Sequence, residues 1–227
     1  MEMLSAITTD APVLYAVRVD ALTDPALFDA VSRCLSAQRA AALERLRSPA
    51  ARRRCAGAGA LLSYVLGRHG YDPGAELSFS AAGKPYLPGA PAFHFNLSHA
   101  GVWVICAVSS CEVGCDIEEV RPHIPGRILR HLPPEEQRLL AAAADVPDLF
   151  FRLWTLRESY VKATGTGLTL PLPPVDLTLC EETSASPYRF YEYEDFAGYH
   201  CAVCIKGGAV RPAVHITDFE SVVFPRG

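Results

Sequence analysis

The chain has 227 residues, of which 50% are hydrophobic and 20% charged, and its formal net charge is -4 at pH 7. This size and composition are typical of a globular protein with one large domain or two smaller halves. The acidic balance argues against a general nucleic-acid-binding protein, and no apolar run approaches the roughly 18 residues that a membrane span needs.

The N-terminus and the cysteines favour a cytoplasmic location. The first residues, MEMLSAITTDAP, contain no Lys or Arg, unlike the start of a signal peptide. The 8 cysteines are scattered through apolar stretches, as expected for buried thiols in a reducing compartment. Cys201 and Cys204 have a metal-like spacing, but they lie in a strand-like segment without a second pair, so we do not expect zinc there.

The first half begins with a predicted strand at residues 13–19, VLYAVRV. A helical pattern rich in Ala, Leu and Arg follows from Pro25 to Leu66, with a break near Ser48-Pro49. Residues 77–79 are predicted as a short strand, and GKPYLP, residues 83–88, as a turn.

A buried strand and a hairpin are predicted next. Residues 91–101 show alternating aromatic residues and then a polar cluster, and Val102 to Val108 form an apolar run. A turn at Ser109-Ser110 leads into VGCDIE, residues 113–118, so the two apolar runs are predicted to pair as a hairpin.

The second half is predicted to hold two helices and several strands. Pro133 to Glu136 begins a helix, since Pro suits the first turn and acids favour the positive end of the dipole. Phe150 to Thr164 is a second helix, which Gly165 to Gly167 ends. The remaining segments alternate like strands of an antiparallel sheet: DLTLC (176–180), YRFYEYE (188–194) and YHCAVCI (199–205).

A short internal repeat suggests that the two halves are related. Ser63-Tyr64-Val65 and Ser159-Tyr160-Val161 each precede the glycine-marked end of a predicted helix. This is compatible with two similar α+β halves, which we place at residues 1–111 and 112–227.

Asp116 and Glu118 close a mostly apolar strand with one residue between them. Since residues i and i+2 point to the same face of a strand, both carboxylates would lie side by side. Two like charges this close raise one pKa unless a cation lies between them. Mg²⁺ would meet that need, because it takes carboxylate oxygens and keeps waters for phosphate ligands. The alternative is that Ile117 packs inward and the acids face solvent.

Trp154, Glu158 and Lys162 share a face of the predicted helix, because they are spaced four residues apart. Glu158 and Lys162 could be a plain surface ion pair, which contributes little to stability. A charged pair beside a large aromatic could instead mark the rim of a pocket. The helix alone leaves both interpretations open.

Residues 96–101, NLSHAG, could offer hydroxyl, imidazole and backbone N–H donors to an anion. A catalytic triad is disfavoured, because adjacent Ser and His residues cannot easily form the required hydrogen bond and no G-x-S-x-G turn is present. The basic residues Arg52 to Arg54 and Lys84 are usually solvated. Together with His99 and Lys162, they could line a phosphate-binding groove.

Three ordered segments together resemble the 4'-phosphopantetheinyl transferase family, and specifically its larger, two-lobed, surfactin-synthetase-activating type. They are FNLSHAGVWVICAV (95–108), VGCDIEEVRP (113–122) and LWTLRESYVKATGTGL (153–168). GKPYLP also matches, and the resemblance covers about residues 40 to 205. Two positions depart from the family pattern: Cys115 replaces a common aliphatic residue and Ala100 a common serine.

The resemblance implies an α+β fold of two similar lobes, related by a pseudo-two-fold axis, each an antiparallel sheet packed with helices. The active site would lie in the cleft between them. Residues 1–111 would form the lobe on the nucleotide side of coenzyme A. Residues 112–227 would carry the metal ligands, the catalytic helix and the carrier-docking surface. A monomer is expected, since one chain holds both halves of the site.

The reaction implied by the resemblance transfers 4'-phosphopantetheine from coenzyme A to a serine of an apo acyl or peptidyl carrier protein. The products are the holo carrier protein and adenosine 3',5'-bisphosphate. The carrier could belong to a polyketide, non-ribosomal peptide or fatty-acid synthase. Mg²⁺ would be the metal, with Mn²⁺ as an alternative, and neither nucleic acid nor a membrane is expected as a partner.

The resemblance also implies residue roles. Asp116, Glu118 and Glu158 match the metal-binding acids, and Lys162 matches the lysine near the diphosphate. The other residues matched to coenzyme A are Ser98 and His99 at the phosphates, Lys84 and Pro85 beside the nucleotide, and Arg53 at the 3'-phosphate, with Arg39 or Arg47 as additions. The register within the arginine run is open by one residue.

In the implied mechanism, the carrier serine attacks the β-phosphorus of coenzyme A, and the metal with Lys162 neutralises the charge of the leaving phosphate. Glu158 is the candidate base, acting directly or through a metal-bound water. The segment 122–147, with Arg127 and Arg130, is predicted to dock the carrier. A non-catalytic sensor and a coenzyme A phosphohydrolase are the alternatives, and an acceptor-free assay separates the latter from a transferase.

Overall fold

The structure is a computed structural model that describes residues 11–168, 172, 174–180, 186–207 and 210–223. Its strands and α-helices in chain order are β1 Val13–Arg18, α1 Pro25–Arg33, α2 Ala37–Glu44, α3 Pro49–Arg68, β2 Ser78–Phe79, β3 Pro85–Tyr86, β4 His94–Ala100, β5 Trp103–Ser109, β6 Val113–Glu119, α4 Gly126–Leu129, α5 Pro134–Ala142, α6 Val146–Thr164, β7 Tyr188–Tyr193, β8 Tyr199–Lys206, β9 Ala213–Thr217 and α7 Phe219–Val223. The predicted α+β class is confirmed. None of the described helices has the length and apolar character that crossing a membrane requires.

Two sheets and a small hairpin organise these elements. The first sheet has the strand order β4-β5-β1-β9, in which β9 runs parallel to β1 and the other pairs are antiparallel. The second sheet has the order β6-β8-β7 and is antiparallel throughout. Strands β2 and β3 pair only with each other.

The sheets pack face to face, with a long helix covering the outer face of each. Alternate residues of β1 point to opposite faces, so Tyr15 and Val17 pack against α3 while Leu14 and Ala16 pack against the second sheet. On the far side of that sheet, Leu156 and other apolar residues of α6 cover β7 and β8. The core is therefore divided into layers, and the two sheets meet in the middle.

Helix α6 lies unusually close to β6, and Gly114 makes this possible. A Cβ atom at Gly114 would lie 2.1 Å from the carbonyl oxygen of Ser159 and 2.2 Å from the backbone nitrogen of Ala163. Only glycine therefore lets this strand and this helix touch backbone to backbone. The contact sets the distance between side chains that β6 and α6 direct towards each other.

The predicted hairpin between residues 102–108 and 113–118 is wrong. Strand β5 pairs with β4 and β1, whereas β6 pairs with β8 in the other sheet. The turn between β5 and β6 exists, but it carries the chain from one sheet to the other. On the side of β6 that faces the first sheet, the backbone N–H of Cys115 donates to the side-chain oxygen of Asn96 at 2.9 Å. A side chain thus replaces the expected strand partner.

Of the other predicted helices and strands, several are confirmed and two need correction. The first strand, the helix break at Ser48, the start of α5 and the end of α6 at Gly165 are confirmed; Gly165 adopts φ +69°. The segment DLTLC was predicted as a strand, but residues Leu177–Cys180 form a 3-10 helix. An additional break separates α1 from α2, where Ser36 caps the new helix by accepting from the backbone N–H of Arg39.

The C-terminal segment returns to the first sheet. Strand β9 pairs with β1, and Phe219 of α7 is buried in the cluster that α3 covers. The division of the chain into two halves after residue 111 stays a prediction. The structure adds that β9 and α7, which come late in the second half, pack with the first sheet. Cys201 and Cys204 lie in different apolar clusters, on the inner and outer faces of β8 respectively.

Candidate active site

Three side chains from distant segments converge where β4 passes β6 under helix α6. The ammonium group of Lys162 lies 2.5 Å from Asp116 Oδ1 and 3.2 Å from Ser98 Oγ. The Ser98 hydroxyl donates to the same Asp116 oxygen at 2.7 Å. We call Ser98, Asp116 and Lys162 the central triplet. The structure brings together three of the residues that the sequence predicted.

Asp116 is buried, and only one of its carboxylate oxygens is satisfied. Its residue exposure is 3%, and Oδ2 has no hydrogen-bond donor among the described residues. A buried acceptor without a donor costs roughly 1–3 kcal/mol, and more when it is charged. Such an oxygen is a natural ligand for a cation or a water molecule.

Glu118 and Glu158 add two more carboxyl groups to this site. Burial, and then the charge of Asp116, raises the pKa of Glu118 to about 7, while Arg121 opposes the shift from a distance of 3.5 Å. Burial and Asp116 also raise the pKa of Glu158. The charge of Asp116 thus acts on both glutamates, as expected for carboxylates that share one low-dielectric region.

Lys162 is the main cation within this acidic group. Burial lowers its pKa, but the charge and hydrogen bond of Asp116 together outweigh that effect, so the pKa is raised. Burial raises the pKa of Asp116, and Lys162 opposes the shift. The contact at 2.5 Å favours the ionised form of the pair.

The acidic residues are of the type that binds a hard divalent cation, although their carboxylates do not converge on one common position. In the part of the chain that the structure describes, no group of three or more His, Cys, Asp or Glu side chains is arranged to hold a metal ion. The ammonium of Lys162 contacts Asp116 instead. Asp116 nevertheless keeps one oxygen without a hydrogen-bond donor among the described residues, and burial raises the pKa of Glu118 and of Glu158. Carboxylate oxygens are the ligands that Mg²⁺ prefers.

His99 and Arg54 extend the site on the side of the first sheet. Partial desolvation of the imidazole lowers the pKa of His99, and the positive charges of Arg54 and Lys162 lower it further. Arg52 has another role, since its guanidinium donates to the carbonyls of Leu43 and Leu46 at the end of α2. Arg54 is therefore added as a candidate phosphate ligand.

Lys84 was predicted to lie beside the nucleotide of coenzyme A, but its side chain contacts the protein backbone. Its ammonium group donates to the carbonyls of Val113 at 2.9 Å and of Ala163 at 3.1 Å. Pro85 lies beside it in β3, opposite Phe79. Both residues are next to the site, but the ammonium group of Lys84 is hydrogen-bonded to backbone carbonyls of the second half.

Sequence reasoning missed several residues that hold the site together. Asn96 connects the two sheets, and Arg157 forms a buried ion pair with Glu136 directly beside Glu158. Glu136 also accepts from the backbone N–H of Val175 at 2.9 Å. The available signal was that Arg157 stands on a largely buried helix, where a solvated charge is not expected.

The predicted docking segment lies on the surface of the second half. Arg127 and Arg130 are exposed, whereas Ile128 and Leu129 pack partly against a buried cluster that includes Leu132. The segment therefore combines exposed positive charges with an anchored apolar side.

Comparisons with known proteins point to one family. A profile of the 4'-phosphopantetheinyl transferase superfamily matches residues 112–209. The chain is 37% identical over 176 residues to the 4'-phosphopantetheinyl transferase Sfp of Bacillus subtilis strain 168, covering 72% of this chain and 78% of that protein. It is 31% identical over 201 residues to the 4'-phosphopantetheinyl transferase psf-1 of Bacillus pumilus, covering 83% and 86%. It is 37% identical over 144 residues to the 4'-phosphopantetheinyl transferase HetI of Nostoc, covering 59% and 61%.

Proposed function

The chain belongs to the 4'-phosphopantetheinyl transferase superfamily, and we propose that the central triplet, with Glu118 and Glu158, is its magnesium-dependent active site. The protein transfers 4'-phosphopantetheine from coenzyme A to a serine of an apo carrier protein and releases adenosine 3',5'-bisphosphate. The observation that supports the site is the convergence of Ser98, Asp116 and Lys162 from three distant segments.

The donor is expected to bind with its phosphates against the basic side of the site. His99 would donate to a phosphate oxygen, and Ser98 would do so by turning its hydroxyl away from Asp116. Lys162 supplies a cation whose pKa is raised. Arg53 remains the predicted ligand of the 3'-phosphate, and Arg54 joins it because its charge acts on His99. The net charge of -4 does not prevent this local concentration of positive groups.

The reacting bond is the one between the β-phosphorus and the oxygen of the 5'-phosphate. The carrier serine attacks the β-phosphorus, the bond to the 5'-phosphate breaks, and the leaving phosphate gains negative charge. Lys162 is proposed to stabilise that charge. The support is that its ammonium group lies 2.5 Å from Asp116, one of the proposed metal ligands. The serine must also lose a proton.

Glu158 is the proposed acceptor of that proton. It is half-buried, and burial raises its pKa in the protein without metal. A bound Mg²⁺ would lower that pKa and make the carboxylate a weaker base. The transfer runs directly or through a water molecule. Arg157, fixed by Glu136, lies next to Glu158 along α6 and limits how far the pKa of Glu158 rises.

Asp116, Glu118 and Glu158 are the proposed ligands of Mg²⁺, with Mn²⁺ as an alternative. When bound, the ion would supply positive charge to the diphosphate of coenzyme A. The support is the unpartnered Asp116 Oδ2 and the raised pKa of each glutamate.

We further propose that the molecule has two lobes related by a pseudo-two-fold axis, with the site in the cleft between them. The support is that each main sheet carries one long helix on its outer face, and that the central triplet draws Ser98 from one half and Lys162 from the other. We also propose a monomer, for which the support is that one chain supplies both sides of the site. Residues 1–111 would contact the nucleotide and residues 112–227 the carrier.

The segment 122–147 is the proposed docking surface for an acidic carrier of a polyketide, non-ribosomal peptide or fatty-acid synthase. The exposed guanidinium groups of Arg127 and Arg130 provide the complementary charge. Replacing both by Glu should raise the KM for the carrier and leave the KM for coenzyme A unchanged. An unchanged carrier KM would exclude this surface.

Intact-protein mass spectrometry tests the proposal as a whole. An apo carrier protein is incubated with the enzyme, coenzyme A and Mg²⁺, and the mass of the carrier is followed. A gain of one phosphopantetheine unit, absent with EDTA and with Glu158→Gln, is the expected result. Activity that persists in EDTA would overturn the metal proposal, and consumption of coenzyme A without a carrier would indicate hydrolysis.

A further inference from the structure

Lys84 belongs to the first half of the chain, yet its ammonium group binds backbone atoms of the second half. The two acceptors are the carbonyls of Val113, at 2.9 Å, and Ala163, at 3.1 Å. Val113 begins β6, and Ala163 lies in the last turn of α6. One side chain therefore joins three segments that are far apart in the sequence.

Both carbonyls need a donor from outside their own element. The last four carbonyls of an α-helix have no partner within the helix, and Ala163 provides one of them. The backbone N–H of Lys206 donates to the backbone carbonyl of Glu112, just before β6. Carbonyls alternate in direction along a strand, so the carbonyl of Val113, one residue later, points away from β8. Lys84 satisfies both groups.

A cation at the position of Lys84 has a favourable electrostatic partner, although burial lowers the pKa of its ammonium group. The C-terminal end of a helix carries a partial negative charge, which a cation stabilises. Hydrogen bonds from a charged donor are stronger than neutral ones, and this ammonium group is partly buried. The contact is therefore expected to hold the end of α6 firmly.

This end of α6 carries the catalytic lysine. Lys162 immediately precedes Ala163, and Gly114 immediately follows Val113. The backbone contact at Gly114 and the bridge from Lys84 thus both lie just before Asp116 along β6 and at the turn of α6 that carries Lys162.

We infer that Lys84 is a positioning residue: it holds the last turn of α6 on β6 and thereby keeps Lys162 in contact with Asp116. The inference rests on the proposed function for its catalytic consequence, although its structural part does not depend on activity. It differs from the expectation that Lys84 binds the nucleotide, because it assigns the ammonium group to the protein backbone.

Hydrogen exchange of the metal-free and ligand-free protein tests the structural part. In Lys84→Met, backbone amides of residues 162–165 should exchange roughly 10-fold faster or more, while those of residues 66–69 at the end of α3 keep their rates. The melting temperature should fall by roughly 4–8 °C. Lys206→Met is the matched control, because it removes an exposed lysine that pairs with Glu112, and it should change neither quantity appreciably.

A double-variant comparison tests whether Lys84 acts through Lys162. Lys84→Met should lower kcat, but in a Lys162→Met background the same change should cause little further loss, because the group being positioned is already absent. Losses that multiply would overturn the positioning role. Wild-type protein that transfers nothing would sink the proposed function alone, since the exchange experiment would still decide the bridge.

Binding of adenosine 3',5'-bisphosphate separates the two roles of Lys84. A positioning residue predicts that Lys84→Met changes the Kd for this nucleotide less than about 3-fold. The proposal would be overturned if Lys84→Met exchanged residues 162–165 at the wild-type rate and kept the wild-type melting temperature. A Kd raised about 10-fold in that variant would then identify Lys84 as a nucleotide ligand. Should Lys84→Met fail to fold, Lys84→Arg is measured instead and should show an intermediate loss of protection.

Discussion

Helices α3 and α6 occupy similar positions over the two sheets, but they present opposite chemistry to the strands beneath them. Both contain the sequence Ser-Tyr-Val, at residues 63–65 and 159–161. The residues on either side of it are Leu62 and Leu66 in α3, which are 4% and 1% exposed. In α6 the corresponding residues are Glu158 and Lys162. One helix supplies apolar side chains to the core, and the other supplies charged side chains to the candidate active site.

The difference shows how a single arrangement can serve stability in one half and chemistry in the other. Burying charged groups is unfavourable unless they are paired or bound, and α6 brings Glu158 and Lys162 into such surroundings beside Asp116. Helix α3 avoids that cost where it covers β1, because the side chains in contact there are apolar. Substitutions in the two helices should therefore separate stability from activity.

The largest expected effect is on the rate of transfer in Glu158→Gln. Removing the proposed base and metal ligand should lower kcat by roughly 10²–10⁴-fold, measured as the rate of carrier mass gain. The melting temperature of the metal-free variant should stay the same or rise, because one of three mutually repelling acids is neutralised. Glu44→Gln, an exposed carboxylate of α2, is the control, and an equal loss there would contradict the assignment.

Gly114→Ala and Gly57→Ala compare the close contact beneath α6 with the one made by α3. A Cβ at Gly114 meets helix backbone at 2.1 Å, whereas one at Gly57 of α3 first meets the side chain of Val19 at 2.5 Å. Both changes should destabilise the fold, by roughly 1–3 kcal/mol. Only Gly114→Ala should also lower kcat by more than about 10-fold, because it moves α6 away from Asp116. Equal kcat values for the two folded variants would show that the close contact does not position the site.

Leu66→Ala should affect mainly stability, whereas Lys162→Met should affect mainly catalysis. Leu66→Ala should cost roughly 2–5 kcal/mol of unfolding free energy and leave kcat per folded molecule unchanged. Lys162→Met should lower kcat strongly with a smaller change in stability. Chemical denaturation, together with active-site titration, measures both. A variant of Leu66 that folds fully but transfers slowly would undermine the separation.

The smallest expected effect concerns pH and magnesium. Because the pKa of Glu118 is about 7 in the folded protein against an ordinary 4.5, the folded state binds the proton more tightly. The resulting stabilisation is present at low pH and is lost as pH rises through about 7. Mg²⁺ should therefore raise the melting temperature more at about pH 8 than at about pH 6. Glu118→Gln should reduce that difference, and equal shifts at both pH values would contradict the proposed ligand.

Local patterns in the sequence were enough to predict most elements near the site. The apolar run ending in Asp116 and Glu118 forms a strand, and the four-residue spacing of Glu158 and Lys162 places them on the helix that covers it. These predictions succeed because strand and helix periodicity depend on neighbouring residues.

What the sequence did not predict depends on contacts between distant segments. An apolar run indicates a strand without identifying its partner, so the pairing of β6 with β8 was missed. Asn96 and Lys84 each satisfy backbone groups of the other half, and nothing in their local sequence announces that partner. The resemblance to the family supplied the acids of the site, but it did not indicate where the ammonium group of Lys84 would bind.

The parallel pairing of β9 with β1 has a consequence for biosynthesis. Strand β1 ends at Arg18, but its partner strand begins only at Ala213. At a synthesis rate of roughly 5–20 residues per second, one edge of β1 stays without its partner for about 10 to 40 s while the rest of the chain is made. During that interval, the nascent protein exposes a strand edge capable of pairing with other chains. The first sheet is therefore completed only after all strands of the second sheet have been synthesised.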